Sequence, residues 1–175
     1  FRANSGAESV QTYENLGRHM APVGSSEAPG VQLVRLTNGT ATPNADGGGT
    51  VIWDADWSIN FYGGMVPFTL SNPVLTWDAS GTGTLRADLS GFGSSMEDPT
   101  VKHELEPVLG ARLATFSNAT IGADGTFSAT PDWQGVEVET PEDVVPQDRT
   151  GDDWGSWPQE FVDFQFATGL SSYWY

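Results

Sequence analysis

The stretch 51–61 constrains the fold of this chain more than any other. Its odd positions read Val51, Trp53, Ala55, Trp57, Ile59 and Phe61, and its even positions include Asp54, Asp56, Ser58 and Asn60. Period two over this length describes a strand with one apolar and one wet face. Leu85, Ala87 and Leu89, alternating with Thr84, Arg86, Asp88 and Ser90, repeat the pattern. Shorter runs at 74–77, 112–116, 126–129 and 136–138 add further predicted strands. Turns rich in Asp and Gly at 46–49, 78–81 and 124–125 supply the positive φ that hairpins need. The 21 glycines and 11 prolines punctuate the chain at a spacing typical of all-β domains.

Two segments leave this rhythm. In 8–20, Val10, Tyr13, Leu16 and Met20 share one helical face, which predicts an N-terminal helix. Near the C-terminus, Ser156 and Gln159 have capping-box spacing with Pro158 between them. Phe161 and Phe164 follow at helical spacing, and Gly169 is placed to stop a second short helix. The tail from Ser171 to Tyr175 is too aromatic for a solvated end and is expected to dock as a strand or against the sheet. The stretch 137–153, rich in Pro and acid, reads as a long loop. The expected architecture is therefore mainly β, an antiparallel sandwich or barrel with one or two short helices, forming one domain over 1–175.

Charge narrows the function. Seven Lys and Arg face 23 Asp and Glu, a formal charge of −16. Phosphate neutralisation needs clustered cations, so nucleic acid is not an expected partner. No apolar run approaches the roughly 20 residues of a spanning helix. The absence of cysteine removes disulfides, thiolate nucleophiles and Cys-ligated metals together. An acidic, Lys-poor, Thr/Ser/Gly-rich composition points to a secreted or cell-surface bacterial protein.

Reaction chemistry finds little footing. His19 and His103 lack metal-ligand spacing, and no G-x-S-x-G elbow marks a nucleophile. Asp54 and Asp56 lie two apart on one strand face, as paired glycosidase carboxylates can, but the alternation turns both to solvent. The Asp-Gly turns lack the ligand pattern of a calcium loop, so no metal site is expected. The expectation is a binding protein, not an enzyme. Its distinctive resource is seven Trp, four Tyr and nine Phe. In Phe61-Tyr62-Gly63-Gly64-Met65 an aromatic pair ends a strand and meets two glycines, which let a ligand or another chain approach the backbone.

Three blocks carry a resemblance. The first runs from Phe61-Tyr62-Gly63-Gly64-Met65 through the strand start at Asn72-Pro73 to Leu75. The second is Gly83-Thr84-Leu85-Arg86-Ala87-Asp88-Leu89-Ser90. The third begins Ser156-Trp157-Pro158-Gln159 and ends Ser171-Ser172-Tyr173-Trp174-Tyr175. Together, over roughly 50–175, they resemble the HtaA-domain family, the haem-acquisition domains on the surface of corynebacteria and related actinobacteria. The resemblance implies a β-sandwich with short helices, export, and a place in the cell envelope. It also implies ferric haem held by tyrosinate, with a histidine supporting the phenolate. Tyr13 corresponds to the family tyrosine, unless a position nearer Phe1 does. Tyr62 stands where the family has histidine, and Tyr173 or Tyr175 matches the C-terminal tyrosine. Candidate haem contacts are thus Tyr13, Tyr62 and Tyr173. Phe61, Gly63, Gly64, Met65 and His19 are candidate contacts for a ligand or partner. Two functions follow: a module that binds haem or takes it from a haemoprotein, or a scaffold without the iron site that meets an envelope protein or polysaccharide.

Overall fold

The computed structural model describes residues 2–3, 32–34, 36–45, 47–61, 66–94, 98, 101–169 and 171–175. The predicted helix over 8–20 lies outside them. The chain is mainly β and antiparallel, and its centre is two long strands, β6 (Val66–Trp77) and β7 (Gly83–Ser94). A tight turn joins them, in which the Asp78 carboxylate accepts from Ser80 N and Thr82 N. Those bonds, with the Ser80 hydroxyl foremost, hold the Asp78 carboxyl below its ordinary pKa.

Around this hairpin stand β3 (Thr40–Pro43), β4 (Gly49–Ile52), β5 (Asp56–Phe61), β8 (Lys102–Glu104) and β9 (Val108–Phe116). They complete a seven-stranded sheet in the order β3-β4-β6-β7-β8, with β5 also on β6 and β9 also on β7. Two short pairs stand apart: β1 (Arg2–Ala3) with β2 (Gln32–Leu33), and β10 (Thr120–Ile121) with β11 (Phe127–Ser128). A second large sheet facing the first is not seen among the described residues. One helix, α1 (Gln159–Thr168), packs on β7 and β9 instead.

The run 51–61 keeps its alternation but not its continuity. Val51, Trp53, Ala55, Trp57 and Ile59 are half-buried, while Ile52, Asp54, Asp56 and Ser58 are exposed. The run is nevertheless split into β4 and β5, and the cause lies on β6. Asn72-Pro73 sits in the middle of that strand, not at its start. Asn72 adopts φ 51°, and pairing with β7 shifts register between Ser71 and Val74. Opposite this bulge, Asn72 N donates to Ala55 O and Trp53 N donates to Pro73 O, so 53–55 loops around it. Asparagine tolerates the left-handed conformation, and its amide anchors the bulge by donating to Asp88 Oδ2 at 2.9 Å.

One face of the sheet carries the core. Phe68, Leu70, Ala87, Leu89, Ala111 and Leu113 pack against Phe161 and Phe164 of α1, with Trp174 closing over them. At the other end of this face Trp77, Phe116 and Phe127 form a second ring cluster, with centroids 5.2 and 5.3 Å from Phe127. The opposite face is polar. Thr42, Thr50, Thr76, Thr84 and Thr115 align across five strands, and the Thr76 and Thr84 hydroxyls are 3.0 Å apart.

Helix α1 ends as its sequence predicts, with Gly169 at φ 79° donating to Phe166 O. Its start differs. Pro158 takes the cap position without a side-chain cap, and no capping box forms. The Ser156 hydroxyl is shared between the carbonyls of Trp157 and Trp174, at 2.8 and 3.1 Å. Gln159 exchanges hydrogen bonds with the backbone of Glu139. The tail docks as expected, but as a 3-10 helix (Ser171–Tyr173). The predicted strand at 136–138 is absent because the Gln147 side chain takes its backbone groups, accepting from Val138 N and donating to Val136 O.

An ionic clamp fixes α1 to the sheet. Register places Arg86 opposite Arg112, a like-charge pair that is unfavourable alone. Glu160 in the first turn of α1 sits between them, accepting from Arg86 at 3.2 Å and from Arg112 through both its backbone N–H and its guanidinium. Burial pushes the Glu160 carboxyl up, but the Arg112 hydrogen bonds and the two arginine charges outweigh it and hold the pKa below its ordinary value. A depressed acid contributes stability above its unfolded pKa and loses it as pH falls through the folded value. The urea midpoint should therefore exceed that of Glu160→Gln at about pH 6, and the gap should narrow as pH falls below the ordinary carboxylate range and through the lowered folded value. Midpoints that stay parallel across this range would refute the clamp.

Candidate functional site

Two loop segments and the tail build an aromatic cleft beside α1. Gly135 N donates to Trp154 O and Ser156 N donates to Trp133 O, which clips 133–135 alongside 154–156. This pairing presents Trp133 and Trp157 from neighbouring segments. Trp157 N donates to Trp174 O, joining the tail to the same platform. The cleft, of about 400 Å³, is lined by these indoles with Tyr173, Trp174, Tyr175 and Asp132.

Two of its rings, Trp157 and Trp174, are held from behind. Trp157 lies 6.0 Å from Trp174 at 78° and 5.9 Å from Phe161, and Trp174 stands edge-on to Phe161 and Phe68 at 4.9 and 6.2 Å. Edge-to-face packing of this kind fixes ring orientation. The Tyr175 hydroxyl donates to Val145 O at 2.9 Å, tying the acidic loop to the tail. Outward, the same site is open: Trp133 is 42% exposed, Trp157 39% and Tyr173 60%. Asp132 is its charged group, and its Oδ1 accepts from the Ser117 hydroxyl at 3.1 Å. No Lys, Arg or His lines it.

Of the candidate residues, Tyr173 lies on this cleft, on the 3-10 turn. Tyr13, Tyr62, His19, Gly63, Gly64 and Met65 lie outside the described residues. Phe61 ends β5 opposite Val66. Asp54 and Asp56 are exposed and border a separate polar depression with Asn38 and Trp57. Among the described residues no group of three or more His, Asp or Glu is placed to hold a metal.

Trp133, Trp157 and Asp132 were not among the candidate contacts read from sequence. A signal existed: Trp133, Trp154, Trp157 and the Tyr-Trp-Tyr end concentrate in a stretch with no strand alternation. Indoles outside a sheet pattern have fewer core positions to fill. Compared with protein-family models, curated proteins and solved structures, the chain finds no match in any of the three.

Proposed function

We propose that this chain is a recognition module without reaction chemistry, belonging to an exported, cell-envelope protein of HtaA type, and that the aromatic cleft is where it meets its ligand. The observation that carries the reading is the exposure of Trp133, Trp157 and Tyr173 around one cleft, in which Trp157 is braced by Phe161 and Trp174. Large exposed aromatics grouped in a concavity are how proteins hold ligands and partners. The two-layer sandwich belongs to the proposal, with β10 and β11, whose Phe127 packs on Trp77 and Phe116, as the described part of the second layer. The test is cosedimentation with purified bacterial envelope. Replacing both Trp133 and Trp157 by alanine should reduce retention at least about tenfold. Equal retention of the double variant would overturn the reading.

Haem is a second reading, favoured by Tyr173, whose phenol is a ligand type that suits ferric iron. The cleft itself does not fit that group. Its lining carries the Asp132 carboxylate and supplies no cation to meet the two propionates. Tyr13 and Tyr62 lie outside the described residues. Adding hemin should accordingly give the same Soret titration for the wild type and for Tyr173→Phe. A bound spectrum lost in Tyr173→Phe would place haem at the cleft after all.

A further inference from the structure

The cleft also carries information about the class of its ligand. We infer, building on the recognition reading above, that it takes a neutral polysaccharide chain whose sugar rings stack on Trp133 and Trp157. Three observations converge on this class.

Charge comes first. The cleft has one carboxylate and no cation in its lining, on a chain of net charge −16. An anionic glycan, a phosphorylated lipid head or an acidic peptide would enter against this field, and a neutral chain does not. The second is the pairing of chemistries. A pyranose or furanose ring offers a face of C–H groups and a rim of hydroxyls. The indoles match the face, and the Asp132 carboxylate, acceptor-only when ionised, matches the rim. Asp132 Oδ1 is oriented by Ser117 Oγ, so this acceptor is positioned in advance. The third is bracing. Stacking of one sugar on one ring is weak, so affinity depends on rings that lose little freedom on binding. Trp157 is held by Phe161 and Trp174, and Trp174 by Phe68, which reaches the centre of the core.

The experiment titrates the full chain with hexasaccharides of α-glucan and β-glucan, a mannan and an arabinan, following tryptophan fluorescence and calorimetry. At least one neutral glycan should saturate. Trp157→Ala and Trp133→Ala should each weaken it about tenfold. Asp132→Asn should weaken it while leaving far-UV dichroism and the urea midpoint in place. Trp53→Phe, in the loop between β4 and β5 and outside the cleft's lining, should bind as the wild type does. Flat titrations with every neutral glycan overturn the inference, as does binding that survives both tryptophan substitutions. A polyproline decamer that saturates where the glycans fail, and is lost in Trp157→Ala, also overturns it and assigns the cleft to extended peptide. Envelope retention that depends on the tryptophans while all glycans stay flat sinks this inference alone. Retention that ignores them sinks the recognition reading as well.

Discussion

Replacing Phe68 by alanine should lower the unfolding free energy by about 3–5 kcal/mol, the range for truncating a fully buried aromatic. Phe68 has no exposed surface and meets three rings, those of Phe161, Phe164 and Trp174, at 6.1 to 6.3 Å. It is the point where the sheet, α1 and the tail come together. A domain of this size has only about 5–15 kcal/mol in total, so the variant is left near the edge of folding. Phe68→Leu keeps most of the volume and should cost less than about 1.5 kcal/mol. The tail provides a second readout, because Trp174 loses one of its edge-on partners and its emission should shift to the red. A loss under about 1 kcal/mol in urea would mean that the ring does not close the core.

The β content of the chain was readable because alternation survives tertiary context. Leu85, Ala87 and Leu89 face the core as their spacing demands, and 51–59 alternates between half-buried and exposed without a slip. Gly169 ends α1 for a local reason, since the left-handed stop needs no Cβ. What escaped the sequence reading was set by partners distant along the chain. Asn72-Pro73 reads as a strand start when taken alone, and only its register with Ala55 and Trp53 makes it a bulge. Ser156 has the spacing of a cap, but the Trp174 carbonyl competes for its hydroxyl. The row of threonines, one from each of five strands, has no trace in local order at all.

The same contrast holds at the site. Tyr173 and the aromatic end stand out in sequence, and the tail docks as its hydrophobicity requires. The cleft, however, needs Trp133 and Trp157, 24 positions apart in sequence, on neighbouring segments, and hydrogen bonds between 133–135 and 154–156 bring those segments together. That loop has no periodicity to read. Its path is fixed by single side chains: Gln147 bridging Val138 N and Val136 O, and Arg149 pairing with Glu137 at 2.9 Å. Side-chain bonds to backbone replace a strand ladder here, and no local pattern announces them.

Gly155→Ala should abolish cleft recognition more completely than any single ring substitution. A Cβ at this position would fall on the Trp133 carbonyl oxygen, and within 2.9 Å of Gln134 Cα. Both are backbone, so no side chain can swing aside. The segment 133–135 must retreat, which breaks the bridge between Gln134 and Gly155 and the bond from Ser156 N to Trp133 O. Trp133 then leaves the platform that Trp157 shares. Overpacking of this kind costs about 1–3 kcal/mol, enough to register in urea but not to unfold a domain with an intact sheet core. Gly151→Ala separates the two effects. Gly151 has φ 83° with open space around it, so alanine there strains the backbone by about 1–2 kcal/mol without entering the cleft. The two variants should lose comparable stability, while envelope retention falls at least about tenfold in Gly155→Ala alone. If both retain envelope equally, pairing of the two tryptophan-bearing segments is not what recognition uses.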